Sequence, residues 1–293
     1  MGNNIKKPKI VGEWKKLFAP KEFGNYVNDH CIIKGPNDIW HLFGITCFGG
    51  GPVNERYFVH ATAPDIFNGE EMNEIGKVID NGRKAWAPCV VEDNGKYYMY
   101  YGPSPTGMEV SIDDALYEWF GYEINLIGHP VNAVHRDHMV IKLNDYTWIM
   151  YVSGTHNGHG CISVLVSNDL INWRFVQYAL TASGNAPLTP PWGAFESPYV
   201  VKRDGLYYLF VTYTNCKIEN YQDTLVFCSS NPYDFGEYTG DNHNEMVVAE
   251  IKSHAGEIIY DDKNDKYYIT NCGWRNCGIP VEGGVAIAEL SWE

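Results

Sequence analysis

The sequence predicts an all-β fold, a five-bladed β-propeller with four-stranded antiparallel blades. Two observations lead to this prediction. Five segments consist of an apolar run, a polar turn with Asn, Asp or Gly, and an aromatic run, which is the pattern of a β-hairpin. The first aromatic residue after each turn recurs at intervals of 57, 51, 59 and 60 residues, and a repeat of that size holds about four short strands. These aromatic residues are Trp40, Tyr97, Trp148, Tyr207 and Tyr267.

The composition agrees with a single large β domain. Hydrophobic residues make up 45 % of the 293 residues and charged residues 20 %, which is enough for a sizeable core. No long stretch has 3.6-residue periodicity, so we expect few helices. An all-β sandwich with chance similarity among its hairpins is the alternative, and the near-constant spacing disfavours it. We therefore expect one domain over residues 1–293, with 1–24 as a lead-in and the final "GVAIAELSWE" as a strand that closes the ring beside the first blade.

Charge and cysteine content narrow the partners and the compartment. The net charge is −14 and no basic cluster is present, so neither nucleic acid nor a membrane surface is an expected partner. The eight cysteines include no C-x-x-C pair and several lie in apolar runs, which favours buried free thiols. The N-terminal segment has no apolar stretch of signal-peptide length, which predicts a cytoplasmic protein. The oligomeric state does not follow from these features.

The repeat brings polar residues together at one end of the predicted channel. The innermost strand of a propeller blade lines the central channel, so equivalent positions at the start of these strands form a ring. We place this ring eleven residues before the first aromatic of each hairpin, or thirteen before it in the fifth blade, where the turn is longer. The ring then consists of Asp29, Trp86, Asp137, Glu196 and His254.

This ring has the chemistry of a glycosidase. Convergent carboxylates raise the pKa of at least one member, which places a general acid beside a base. Glycoside hydrolysis uses such a pair, and the indole of Trp86 offers a flat face for a sugar ring. Each residue alone has a simpler interpretation, as a turn residue, a helix or strand cap, a solvated charge or a packing group. The shared register favours a site.

The motifs at these positions resemble those of five-bladed propeller glycosidases, most closely glycoside hydrolase family 43. The resemblance implies that Asp29 in "NDHCII" is the general base, Asp137 in "RDHMVI" modulates a pKa, and Glu196 in "ESPYVV" is the general acid. "AWAP" at 85–88 and "SHAGEI" at 253–258 resemble the second- and fifth-blade motifs of that family. The resemblance also implies that His254 lies near a possible structural calcium ion at the axis, although no cofactor is expected to be required.

Three residues depart from the related families. "NDH" and "RDH" are similar to the "NDP" and "RDP" motifs of families 32 and 68, which act on fructosides with retention, but His30 and His138 stand where those families have Pro. These histidines, and the lack of a following β-sandwich, argue against family 32. In family 43 an Asp usually stands where this chain has Cys89. We expect His30 and His138 to reach into the pocket and to influence the substrate.

Residues beside the ring are candidates for sugar contacts. Trp192 and Arg275 lie in Gly-rich loops that follow hairpins. Arg136, next to Asp137, is either a substrate ligand or part of an ion pair that holds the site together; both interpretations stay open.

The sequence therefore predicts a glycosidase that removes a terminal unit, of arabinofuranoside or xyloside type, by acid–base catalysis with inversion. The alternatives are a retaining fructoside hydrolase, a transglycosidase or phosphorylase on the same fold, and a sugar-binding propeller without turnover. Fold alone does not separate them.

Overall fold

The structure, a computed structural model, describes residues 5–22, 24–47, 51–130, 135–188, 195–214 and 221–293. In this part of the chain, twenty-two strands form five mainly antiparallel sheets, and the predicted five-bladed propeller is confirmed. Among the described residues, helical structure is limited to two 3₁₀ turns, Pro36–Asp38 and Pro52–Asn54, and one short helix, α1 (His243–Met246). No described helix is long and apolar enough to cross a membrane.

The first two blades follow the chain from the inside outward. Blade I contains β2 (Asn28–Lys34), β3 (Trp40–Thr46), β4 (Tyr57–Ala63) and β5 (Asn73–Val78). Blade II contains β6 (Trp86–Asp93), β7 (Lys96–Gly102), β8 (Gly107–Ser111) and β9 (Trp119–Gly121).

Blade III is larger than the others. Its four main strands are β11 (Arg136–Asn144), β12 (Thr147–His156), β13 (His159–Ser167) and β14 (Asn172–Ala182), and two short strands, β10 (Asn125–Ile127) and β18 (Glu237–Tyr238), pair in parallel with β14. Blade IV contains β15 (Phe195–Arg203), β16 (Leu206–Tyr213), β17 (Asp223–Ser229) and β19 (Val247–Lys252).

The N-terminal strand closes the ring. Blade V contains β20 (Ile258–Asp261), β21 (Lys266–Cys272) and β22 (Val285–Trp292), and its outermost strand is β1 (Pro8–Phe18). The C-terminal run forms a strand as predicted, but it lies within blade V, between β1 and β21, and not beside the first blade. Residues 8–18 of the expected lead-in form the outermost strand of the same blade. Pairing of β1 with β22 covers the edge that β22 would otherwise expose, which explains why the closure takes this form.

The core is divided among the blade interfaces. Five clusters of buried apolar side chains each combine residues from two neighbouring blades, so every blade packs on both sides. Backbone-to-cysteine hydrogen bonds add to two of these interfaces. The N–H of Val90 donates to Sγ of Cys31, and the N–H of Val140 donates to Sγ of Cys89. The departure at Cys89 thus places a buried acceptor between blades II and III. The seven described cysteines are all free, as expected; Cys216 lies outside the described residues.

Candidate active site

Each blade begins with one residue in the left-handed backbone region. In four blades the pairing of the inner strand with its neighbour shifts at this place, which marks a β-bulge. A bulge re-aims the side chains at the start of the strand, and here it turns them toward the propeller axis. The five equivalent residues are Asp29 (φ 47°), Ala87 (φ 46°), Asp137 (φ 57°), Ser197 (φ 48°) and Ala255 (φ 47°).

This geometry corrects the predicted ring. Glu196, Trp86 and His254 lie one position before the left-handed residue, whereas Asp29 and Asp137 occupy it. The constant step of eleven residues failed because the hairpin turns differ in length. Lys34 pairs with Trp40 in blade I, a separation of six, while Lys202 pairs with Tyr207 in blade IV, a separation of five. The three carboxylates therefore come from two adjacent rings of equivalent positions, with Asp29 and Asp137 in one ring and Glu196 in the ring one residue earlier.

The three carboxyl groups nevertheless meet, through Arg136 and Ser197. The Nη2 atom of Arg136 donates to Oε1 of Glu196 at 2.6 Å, and its Nε lies 3.4 Å from Oδ2 of Asp137. The backbone N–H of Ser197 donates to Oδ2 of Asp137 at 3.0 Å, and its Oγ donates to Oδ1 of Asp29 at 2.5 Å. Of the two interpretations of Arg136, the structure therefore contains the ion pair.

Burial raises the pKa of all three carboxyl groups. The pKa of Glu196 rises to about 8, chiefly by burial; Arg136 opposes the shift and the charges of Asp137 and Asp29 reinforce it. The pKa of Asp137 rises to about 6 for the same leading reason, again against the effect of Arg136. Burial also raises the pKa of Asp29, while the hydrogen bond from Ser197 lowers it. The pKa of Glu196 is higher than that of Asp137, and a value of about 8 suits a general acid at neutral pH.

These groups open into one pocket of about 270 Å³. Its apolar walls include the rings of Trp86, Tyr221 and Trp274, and the Lys84 ammonium lies 4.5 Å from the centre of the Trp86 ring. The Tyr221 ring stacks on Trp274 and its hydroxyl donates to Asn28. Aromatic rings beside a few convergent polar groups are typical of carbohydrate sites.

A fourth carboxyl group in this pocket was not predicted. Glu55 is only 2 % exposed, follows the 3₁₀ turn Pro52–Asn54, and accepts a hydrogen bond from the Tyr26 hydroxyl at 2.7 Å. Burial raises its pKa to about 7, and Tyr26 and the indole of Trp274 oppose the shift. Sequence reasoning missed Glu55 because it lies in a loop outside the repeated hairpins.

Two predicted pocket residues point elsewhere. His30 is buried, with Nε2 2.7 Å from the Thr270 hydroxyl and Nδ1 3.2 Å from Sγ of Cys272. His138 is also buried, with Nε2 2.9 Å from the Thr106 hydroxyl. Both line a small cavity on the propeller axis rather than the substrate pocket. Alternation along the inner strand turns the residue after each Asp away from the pocket, so the expectation that they contact the substrate was wrong.

Two further residues that were predicted to contact the sugar, Arg275 and His254, do not line the pocket, and a third, Trp192, lies outside the described residues. The Arg275 guanidinium donates to the backbone carbonyl of Asn25 and does not line the pocket; its neighbour Trp274 does so instead. His254 is fully buried behind Tyr221, on which its ring stacks at 4.0 Å, and its Nδ1 lies 2.8 Å from the Cys272 carbonyl. Trp192 falls in 189–194, outside the described residues.

The axial cavity contains another buried carboxyl group. This cavity, of about 30 Å³, is lined by Glu257 together with the two histidines, His30 and His138. Glu257 accepts a hydrogen bond from the N–H of Ile32 at 2.7 Å, and burial raises its pKa to about 8. Glu257 therefore ties blade V to blade I beneath the active pocket.

The donor set near His254 matches calcium poorly. Calcium takes six to eight oxygen ligands, whereas the free donor of His254 is a nitrogen, Nε2, buried without a partner in the described part of the chain. Residues 5–22, 24–47, 51–130, 135–188, 195–214 and 221–293 contain no group of three or more His, Cys, Asp or Glu side chains placed to hold a metal ion. The calcium ion stays a prediction.

Comparison with models of known protein families assigns the chain to a family. Residues 19–269 match the model of the glycosyl hydrolases family 32 N-terminal domain. The chain belongs to this family. The match confirms the predicted glycosidase and its relation to families 43 and 32. It also corrects the argument that His30 and His138 separate the chain from family 32, since both point away from the pocket and leave the carboxylates in place.

Solved structures of both families share the fold. A thermostable family-43 glycoside hydrolase superposes with a TM-score of 0.64 at 14 % identity, covering 94 % of this chain and 92 % of its own. A β-xylosidase/α-arabinofuranosidase of family 43 from a compost microbial metagenome, solved with xylotriose, has a TM-score of 0.60 at 16 % identity over 97 % and 94 %. Sucrose-6-phosphate hydrolase from Lactobacillus gasseri has a TM-score of 0.66 at 15 % identity, with 96 % of this chain and 61 % of that chain covered. At these identities the likeness establishes the propeller and leaves the substrate open.

Proposed function

We propose that this protein hydrolyses the terminal glycosidic bond of an oligo- or polysaccharide by acid–base catalysis. The observation that supports this most is the convergence of three buried carboxyl groups, Asp29, Asp137 and Glu196, on one pocket through Arg136 and Ser197. A protein that only binds sugar has no need of carboxyl groups with separated pKa values, whereas hydrolysis does.

Glu196 is the general acid in this proposal. Its Oε1 accepts the hydrogen bond from Arg136, so the proton of the neutral form resides on Oε2 and is free for the leaving oxygen. With a pKa of about 8, most of Glu196 is protonated at neutral pH. Proton transfer leaves a carboxylate beside the Arg136 guanidinium, which stabilises it as the bond breaks.

Asp29 activates the nucleophilic water, and Asp137 orients the residues that contact the acid and the base. The hydrogen bond from Ser197 favours ionised Asp29, which is the form that takes a proton from water as the water attacks the anomeric carbon. Asp137 contacts Arg136 and the Ser197 backbone, and so orients the two groups that touch the acid and the base. In this inverting route, one proton leaves water for Asp29 and one leaves Glu196 for the aglycone oxygen.

The substrate we favour is a terminal arabinofuranoside or xyloside. The pocket of about 270 Å³ lies below the range of roughly 300–1,000 Å³ that is usual for ligand sites, which suits one sugar unit and exo action. The polar side chains in the lining, among them Asp29, Asp137 and Glu196, can form hydrogen bonds with the hydroxyl groups of a pentose ring.

A second candidate is a terminal fructoside cleaved with retention. It is favoured by the match to the family 32 domain over residues 19–269, and one similar structure is a sucrose-6-phosphate hydrolase. In this route Asp29 attacks the anomeric carbon itself while Glu196 protonates the leaving oxygen, so that the glycosidic bond breaks as a covalent ester forms. Water then hydrolyses the ester, with the ionised Glu196 taking the proton of the water. A phosphorylase is less well supported, since Arg136 is occupied by Glu196 and Asp137.

The test is sugar release from arabinofuranosides, xylosides, galactosides and fructosides, with and without phosphate, by wild type and Glu196→Gln. We expect one class to be cleaved, with kcat about 10²–10⁴-fold lower in the variant. NMR of the first-formed anomer then separates inversion from retention. A wild-type protein that releases no sugar from any class, or a variant as active as wild type, would refute the proposal.

A further inference from the structure

The fourth carboxyl group of the pocket, that of Glu55, has no part in the acid–base scheme above. Glu55 and the three proposed catalytic carboxyl groups line the same pocket. Only one of its oxygens has a hydrogen-bond donor among the described residues, namely Oε1, which accepts from Tyr26. A buried carboxylate accepts several hydrogen bonds, so Glu55 retains unused acceptor capacity on the pocket side.

The indole N–H groups of Trp86 and Trp274 lie near the carboxyl group of Glu55. The Nε1 atoms of Trp86 and Trp274 are buried and have no hydrogen-bond partner in the described part of the chain. Both face the Glu55 carboxyl closely enough to favour its ionised form, yet neither meets hydrogen-bond geometry. Buried polar groups are normally satisfied. Two unpaired donors beside a partly paired acceptor, at the wall of a pocket, form a set that a hydroxyl group can complete, because it both donates and accepts.

We propose that Glu55, with the indole N–H groups of Trp86 and Trp274, is a specificity-determining site that binds a free hydroxyl group of an uncharged sugar unit. The hydroxyl donates to the carboxylate of Glu55 and accepts from an indole. A sugar that carries a carboxylate in place of this hydroxyl group is repelled by the negative charges of Glu55 and Asp29. The charge of Asp29 already raises the pKa of Glu55, which shows that the two groups repel each other. The inference rests on the proposed carbohydrate pocket and adds the chemical class that the pocket accepts.

The chain offers a matched control in blade II. Glu109 is also buried and accepts a hydrogen bond from a tyrosine, Tyr101, at 3.0 Å, but it does not line the pocket. Glu55→Gln and Glu109→Gln both remove one buried, tyrosine-bonded carboxylate while preserving its shape. They should therefore change thermal stability in the same direction, and only the first should change sugar binding.

The experiment measures binding through tryptophan fluorescence, since Trp86 and Trp274 flank the carboxyl. The probes are L-arabinose, D-xylose, D-fructose, D-galactose, the corresponding monodeoxy sugars, and D-glucuronate. For at least one neutral sugar we expect Glu55→Gln to weaken binding about tenfold or more, with Glu109→Gln unchanged. Wild type should bind one of the monodeoxy sugars correspondingly more weakly than it binds the parent sugar. Glu55→Gln should bind that monodeoxy sugar no more weakly than the parent sugar.

Several results would overturn the inference. These are no binding of any neutral probe to wild type, equal binding by wild type and Glu55→Gln, equal losses in both Glu→Gln variants, or preferred binding of glucuronate to wild type. Failure of hydrolysis is a separate outcome. If neutral sugars bind in a manner that depends on Glu55 but no glycoside is cleaved, the proposed reaction fails and the role of Glu55 stands.

Discussion

Ser197 joins the two aspartates of the site, since its hydroxyl donates to Asp29 at 2.5 Å and its backbone N–H donates to Asp137 at 3.0 Å. The residue adopts a left-handed backbone (φ 48°), which brings both of its donors to the axis. One serine thus orients the proposed base and the proposed modulator at once. It stands in blade IV where blades I and III have those aspartates.

Replacing this serine should impair the base. In Ser197→Ala the hydrogen bond that lowers the pKa of Asp29 is lost, so this pKa rises. We expect kcat/KM to fall about ten- to a hundredfold and the acidic limb of its pH profile to move to higher pH.

Ser253→Ala is the control for this variant. The Ser253 hydroxyl is buried but donates to the Thr270 carbonyl, not to a carboxylate. It should lower stability without moving the acidic limb. An unshifted limb in Ser197→Ala would contradict the positioning role.

Arg136 stabilises two buried carboxylates, so its removal should affect both folding and the acid. In Arg136→Met the guanidinium no longer lowers the pKa values of Glu196 and Asp137, and both rise. We expect the basic limb of the activity profile, set by Glu196, to move to higher pH. The free energy of unfolding should fall by about 3–5 kcal/mol because buried charges lose their partner.

Arg275→Met provides the comparison, measured by chemical denaturation and by the same pH profile. Arg275 contacts the Asn25 carbonyl away from the pocket, so KM and both limbs should stay near wild-type values. A marked increase in KM in Arg275→Met would show that Arg275 contacts the sugar after all.

Glu257 should make stability depend on pH. Burial raises its pKa from the ordinary 4.5 to about 8 in the folded protein, so the folded state binds the proton more tightly than the unfolded state. The resulting stability is complete below about pH 4.5 and is lost as pH rises through about 8, up to about 5 kcal/mol by linkage. Relative to wild type, Glu257→Gln should gain stability between these pH values. Parallel Tm curves for the two proteins would contradict this assignment.

Chelation should leave hydrolysis intact. The proposed acid and base are protein side chains, and the donors beside His254 suit calcium poorly. We expect kcat to stay within about twofold of the untreated value after dialysis against EDTA, given that loss of an essential metal typically costs far more. A large decrease in kcat that added calcium reverses would show that a calcium ion at the axis is needed for activity.

Much of this protein follows from local sequence alone. Hairpin turns and aromatic runs predicted five blades because strand pairing across a tight turn depends on neighbouring residues. The same repeats identified Asp29, Asp137 and Glu196, since each opens an inner strand. Neither inference needed contacts between distant parts of the chain.

The tertiary structure decided the rest, because these features depend on contacts between blades. The bulges at the blade openings, not a constant step, set which residues are equivalent. Ring closure decided that residues 8–18 form a strand. Packing turned His30 toward blade V and Arg275 away from the pocket. Glu55, in a loop without a repeat, joins the site only because the folded chain places it against Trp86 and Trp274, and no local pattern encodes that proximity.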